Sequence, residues 1–146
     1  MTIQFVDTYR TTCITELQTA VRDGGAGGKL HLYGSPKPLT KGGATGLSPL
    51  VTFTCAYPSM FSGIVTGVGT LNVTGMAEAA LAGGVDPGTV AVWARLTTSA
   101  DVFVADMDVG GTGSGADLTL DNTSIVGSGL ASTITITSMT ITAMGA

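Results

Sequence analysis

Apolar and polar positions along the chain first follow a helical period and then a period of two. In "DTYRTTCITELQTAVRDGG" and the residue before it, Val6, Tyr9, Cys13, Leu17, Ala20 and Val21 recur at three- and four-residue spacing. Ile14 widens the stripe, and the pattern predicts one amphipathic helix. Asp7 is placed to cap its start and Gly24 follows its last periodic residues. Beyond Gly24 the alternation is that of strands. "KLHLYG" sets Leu30 and Leu32 against His31 and Tyr33, and "LVTFTCAY" sends Val51, Phe53, Cys55 and Tyr57 to one face. "GTLNVTG" continues with Leu71 and Val73, and "TVAVWARLTT" sets Val90, Val92, Ala94 and Leu96 against Ala91, Trp93 and Arg95. "DVFVADMDV" is apolar on both parities from Val102 to Val104, and "ADLTLDN" alternates cleanly through Leu118 and Leu120.

The last strand, in "STITITSMTIT", loses step, because Ile134 and Ile136 fall on even positions and Met139 and Ile141 on odd ones. A bulge near Thr137 and Ser138 would return the second pair to the inner face; without one, the two pairs point to opposite faces. Seven strands therefore follow one helix, and strands with one apolar face need a second layer. The pattern predicts an all-β fold, a β-sandwich with jelly-roll topology preferred over immunoglobulin-like, carrying one N-terminal helix. Residues 1–24 form the helical segment packed on a single sandwich domain of residues 25–146. "AGGVDPG" and "GGTGSG" are expected at hairpin corners, and "MAEAALA" as a helical turn within a connection.

Composition adds a constraint on the surface. Of the 146 residues, 44% are hydrophobic and only 11% charged, against about 25% charged in an average soluble protein. No apolar run approaches the length of a membrane span, and "MTIQFVDTYR" lacks the basic start and apolar core of a secretory signal. The expectation is a soluble, unexported chain without a membrane partner. Net charge is -4, divided unevenly: residues 1–41 carry +2 and residues 42–146 carry -6. The front can thus face an acidic partner, while nothing forms the basic stripe that nucleic acid requires. Cys13 and Cys55 are expected as buried free thiols, with a disulfide open only if the fold brings their segments together.

Catalytic signatures are weak. His31 is the single histidine and occupies a strand interior, away from where a His/Asp/nucleophile arrangement would need it. "DMDVGGTGSGADLTLD" spaces Asp106 and Asp108 as a calcium loop does, but Gly110 and Asp117 stand where Asp or Asn and Glu are wanted. "GGTGSG" lacks a P-loop lysine, and a sugar platform would have only Trp93 and three tyrosines to draw on. The expectation is a non-enzyme without catalytic residues, metal or cofactor. "SPKPLTKGGATGLSP" is longer than compact connections usually are, which marks a functional surface. The candidate protein-contact residues are Lys29, Lys37, Lys41, Pro36, Pro38 and Trp93.

The order "AVWARL", "ADMDVGGTGSGADLTLDNTSIVGSG", "TITITSMTIT" resembles small proteins encoded among bacteriophage structural genes. In those, an aromatic strand is followed by a Gly-rich turn, an "ADL" strand and a Thr/Ser/Ile-rich final strand. The matching elements are Trp93 to Leu96, Gly110 to Leu120, Ser124 to Ile125 and Thr133 to Thr142. The resemblance implies a virion component made in the bacterial cytoplasm, most like capsid decoration (cement) proteins. Its implied partners are the major capsid protein and further copies of itself, with a neck, tail or fibre-associated role as the alternative. Outside that family, a carbohydrate-binding adhesion module would use Trp93 and Tyr57 for stacking.

Overall fold

A computed structural model describes residues 6–22, 25–55, 57–58, 61–65, 68–71, 77–79, 89–125 and 136–142. It is an all-β-dominated fold with one N-terminal helix. Helix α1 spans Asp7–Val21. The strands are β1 (Lys29–Tyr33), β2 (Val51–Thr54), β3 (Phe61–Val65), β4 (Val68–Leu71), β5 (Ala77–Ala79), β6 (Thr89–Val90), β7 (Trp93–Thr97), β8 (Phe103–Gly111), β9 (Leu118–Leu120), β10 (Ser124–Ile125) and β11 (Ile136–Thr142). Nine of them follow one hydrogen-bonded order, β3-β4-β11-β9-β8-β7-β1-β2-β5, while β10 and β6 form a separate pair.

Alternation places the core on one face of this sheet. Leu30 and Leu32 of β1, Val51 and Phe53 of β2, Ala94 and Leu96 of β7, and Leu118 and Leu120 of β9 are buried together with Ile125 of β10. The helix adds Ile14 and Val21, with Leu17 partly buried beside them. It departs from the predicted stripe in both halves: Val6, Tyr9 and Ala20 are exposed and Cys13 is only half-buried. Val6 occupies the N-cap, no side chain caps the helix, and Asp7 is its first residue. The acid there still opposes the positive end of the helix dipole. Thr12, Thr15 and Thr19 donate their hydroxyls to carbonyls four residues back, so those polar groups are satisfied within the helix.

Four further local expectations are corrected. "TVAVWARLTT" is two strands instead of one: β6 pairs with β10, then the chain crosses to the main sheet at β7. The crossing reverses the phase, so Val90 and Val92 are exposed while Ala91 and Trp93 are buried. "GGTGSG" is not a hairpin corner, because β8 and β9 run parallel with Val109 opposite Leu118. Within "MAEAALA", Ala77–Ala79 is strand β5 paired with β2; strand pairing overrides the intrinsic helix preference of Ala and Glu. Tyr57 also leaves its predicted face: β2 ends at Thr54, and the ring beyond it is exposed.

The phase shift in the last strand is present in the register. Ile136 pairs with Leu120, Ser138 with Thr119 and Met139 with Leu118, so Thr137 is the extra residue of a bulge. Ile134 lies outside the described residues. β11 goes on to pair with β4 through Thr140 and Thr70.

Candidate protein-contact surface

The opposite face of the sheet carries a polar and aromatic row. Hairpin register sets Arg95 of β7 against Asp106 of β8, and Trp93 against Asp108. Arg95 donates from Nε to Asp106 Oδ1 at 2.7 Å and from Nη2 to Oδ2 at 2.9 Å. Both side chains are nearly buried. That bidentate geometry is among the strongest side-chain contacts available to a protein, and it holds the guanidinium above its ordinary pKa despite the opposing cost of burial. The same guanidinium lies 5.4 Å from the Trp93 ring centre and 5.2 Å from that of Phe103, within cation–π range. Tyr33 stacks on Trp93, with ring centres 4.3 Å apart.

Residues 34–50, joining β1 to β2, lie across this row as a strap. Four hydrogen bonds to the sheet pin it. Trp93 Nε1 donates to the Gly34 carbonyl at 2.8 Å, Lys37 Nζ donates to Asp108 Oδ1 at 2.7 Å, and Arg95 Nη1 donates to the Gly43 carbonyl at 3.0 Å. At the turn, Gly43 N donates to the Thr40 carbonyl at 3.0 Å, and Gly42, at φ +66°, rests against the Phe103 ring. Leu50 N returns to the Leu32 carbonyl at 2.7 Å. The pinned strap leaves Leu39 fully exposed, with Pro36, Lys37 and Lys41 also exposed and Pro38 half-buried.

The strap thus brings together Pro36, Lys37, Pro38 and Lys41 of the sequence candidates. Lys37 is at the same time the counterion of Asp108. Lys29 stands apart on β1, where it donates to Asp101 Oδ2 at 2.7 Å. Trp93 is 0% exposed and so presents no ring to a partner or a sugar; Tyr33 stacks on it and the Gly34 carbonyl takes its indole N–H. Arg95, Asp106 and Asp108 were not foreseen as parts of this surface, whereas Leu39 lies within the "SPKPLTKGGATGLSP" connection that the sequence marks. Arg95 and Asp106 become visible once residues 98–102 are recognised as a hairpin turn, because that pairing sets the opposite charges across from each other.

His31 lies across from Arg95, on β1, and centres a second cluster on the same face. Its Nδ1 meets Thr52 Oγ1 at 2.9 Å, and its Nε2 meets Thr97 Oγ1 at 3.3 Å and Asp101 Oδ1 at 3.4 Å. Burial holds its pKa below 6.5, although Asp101 pulls the other way. Asp101 sits at φ +63° in a turn where Thr98 Oγ1 accepts from the amides of Ala100 and Val102. Hydrogen bonding from Lys29 lowers the Asp101 pKa. Among the described residues no three His, Cys, Asp or Glu side chains are grouped to hold a metal ion. Asp106 and Asp108 of the calcium-like segment instead serve Arg95 and Lys37. Cys13 and Cys55 are free thiols, and burial pushes the Cys55 thiol up to about 12.

No protein-family model, curated protein or solved structure matches the chain.

Proposed function

We propose that this chain is a non-enzymatic bacteriophage virion component, a decoration or cement protein that binds and stabilises the major capsid lattice. The observation that carries the reading is the pinned strap. Arg95, Lys37 and Trp93 hold residues 34–50 against the sheet, so the exposed Leu39 is presented on a pre-ordered backbone. Ordering before contact reduces the entropy lost on association, and an exposed leucine gains on burial. A surface built this way suits docking on another protein. The low charge of the chain and its resemblance to proteins of phage structural genes point to the virion as the setting. For the finer architecture we propose a β-sandwich in which the long sheet folds over its apolar face, jelly-roll before immunoglobulin-like. The parallel β8–β9 pair is a departure from either antiparallel plan.

The test uses purified chain and expanded capsids. Decoration predicts stoichiometric binding over all capsid faces and greater resistance of the particles to heat, with Leu39→Asp weakening the binding. No binding at micromolar concentration would remove the assignment. Labelling confined to a unique vertex would move the protein to the neck or tail.

A further inference from the structure

We infer that Lys41 is the charge with which the strap recognises its partner, pairing with a carboxylate on the protein surface that the strap docks against. The inference rests on the reading of the strap as a protein-contact surface and names the chemistry that the contact meets.

The chain has six lysines and arginines, and five are already engaged. Arg10 pairs with Asp7, Lys29 with Asp101, Lys37 with Asp108 and Arg95 with Asp106, while Arg22 donates to the Pro58 carbonyl and to Thr19 Oγ1. Among the described residues, Lys41 alone of the six has no hydrogen-bond or ion-pair partner. The difference is electrostatic. A lysine beside its own carboxylate presents a dipole whose field fades quickly with distance, and a partner would have to displace that carboxylate first. Residues 34–50 contain no Asp or Glu, so with Lys37 neutralised by Asp108 the outward charge of the strap is that of Lys41.

The backbone carrying Lys41 is fixed in place. Gly43 N donates to the Thr40 carbonyl at 3.0 Å, closing a β-turn with Lys41 and Gly42 as its central residues. The φ of Gly42, +66°, is what a type II turn asks of its third residue. The two residues after Lys41 anchor the turn, Gly42 against the Phe103 ring and Gly43 through its carbonyl on Arg95. Lys41 itself is exposed, and its Cα lies at most about 7 Å from that of Leu39, close enough for one contact to include both. The rest of the molecule sharpens the choice of partner. At a net charge of -4 the chain as a whole is repelled by an acidic surface, so approach with Lys41 leading is the favourable orientation. The pair then sets register and association rate more than affinity.

Amide spectra of the isotope-labelled full chain, titrated to about 10 mM with a short peptide of alternating leucine and glutamate, test the chemistry directly, since a contact this small binds in the millimolar range. The expected result is saturable shifts at residues 39–43 that weaken with the glutamine version of the peptide and vanish in Lys41→Gln. No shift at those residues, equal shifts with the glutamine peptide, or shifts unchanged by Lys41→Gln would overturn the inference. On expanded capsids, Lys41→Gln should slow association about threefold or more at about 0.01 M salt and much less at about 0.15 M, as the Debye length falls from about 30 to about 8 Å. Lys29→Gln removes the same unit of charge away from the strap and should leave the rate within about twofold. Equal slowing by both variants would show an effect of net charge and overturn the inference. Capsid binding indifferent to Lys41→Gln would also overturn it and leave decoration standing. Absence of capsid binding would remove decoration, and the peptide titration would still decide the role of Lys41.

Discussion

Arg95 is the residue on which the outer face of the sheet depends. Each of its three nitrogens donates, two to Asp106 and one to the Gly43 carbonyl, and its guanidinium carbon lies 5.4 Å from the Trp93 ring centre and 5.2 Å from that of Phe103. Removing it leaves the Asp106 carboxylate, 9% exposed, without its countercharge. Arg95→Ala should destabilise the fold by about 2–3 kcal/mol in urea denaturation. Arg95→Met with Asp106→Leu should cost less than the sum of the single changes, because no charge is then stranded. The His31 cluster responds to acid. A histidine whose folded pKa lies below 6.5 is held neutral, so its stabilisation is present above 6.5 and is lost as pH falls from there toward the folded value. Asp101, lowered from 3.8 mainly by its hydrogen bond from Lys29, adds stability that is lost at still lower pH. Melting temperature should therefore fall as pH drops below 6.5. His31→Gln should flatten that first decline and leave the later Asp101 decline in place; an unchanged profile would show that His31 is not its source.

At the scale of elements, the strap makes a backbone prediction that side-chain contacts alone would not. Gly42 and Gly46 both have positive φ, at +66° and +60°, where a side chain adds about 1–2 kcal/mol of backbone strain. A Cβ at Gly42 would also come within 3.1 Å of the Phe103 ring, whereas one at Gly46 meets open space. Gly42→Ala should thus cost more stability than Gly46→Ala, and equal losses would mean that the strap does not seat on Phe103. This element was legible in the sequence by length and by its prolines and glycines, but the roles of its lysines were not. The Lys37 counterion, Asp108, is 71 residues away, and no local pattern links the two. The core strands were legible for a simple reason: Leu30, Leu32, Val51, Phe53, Ala94 and Leu96 alternate and are buried as that alternation requires. Alternation failed at residues 89–93, where one apolar run changes sheets at Ala91. It also gave no sign that β9 would run parallel to β8, since a strand looks the same to its period in either direction.

For the molecule as a whole, β11 is the strand that joins the sheet into one. It stands between β9 and β4, so without it β3 and β4 lose their connection to the remaining strands of the order. The bulge inside it was predicted by phase alone, and the phase argument extends to a deletion. Removing Thr137 from "ITITSMTIT" leaves Ile134, Ile136, Met139 and Ile141 in a single alternating series. Ser138 and Met139 then continue from Ile136 in the same register against Thr119 and Leu118 that the bulge now provides. The chain lacking Thr137 should keep its fold with a stability change within about 1 kcal/mol, since a bulge residue is unpaired and its loss flips no face. Met139→Pro is the contrast. It removes an amide and imposes a ring within a strand paired to β9 and, one residue on, to β4, and should cost about 3 kcal/mol or more. Urea denaturation of the two variants compares the effects directly. If the deletion proves as damaging as the proline, the extra residue is required by the curvature of the sheet, and matching the apolar phase is not enough to explain it.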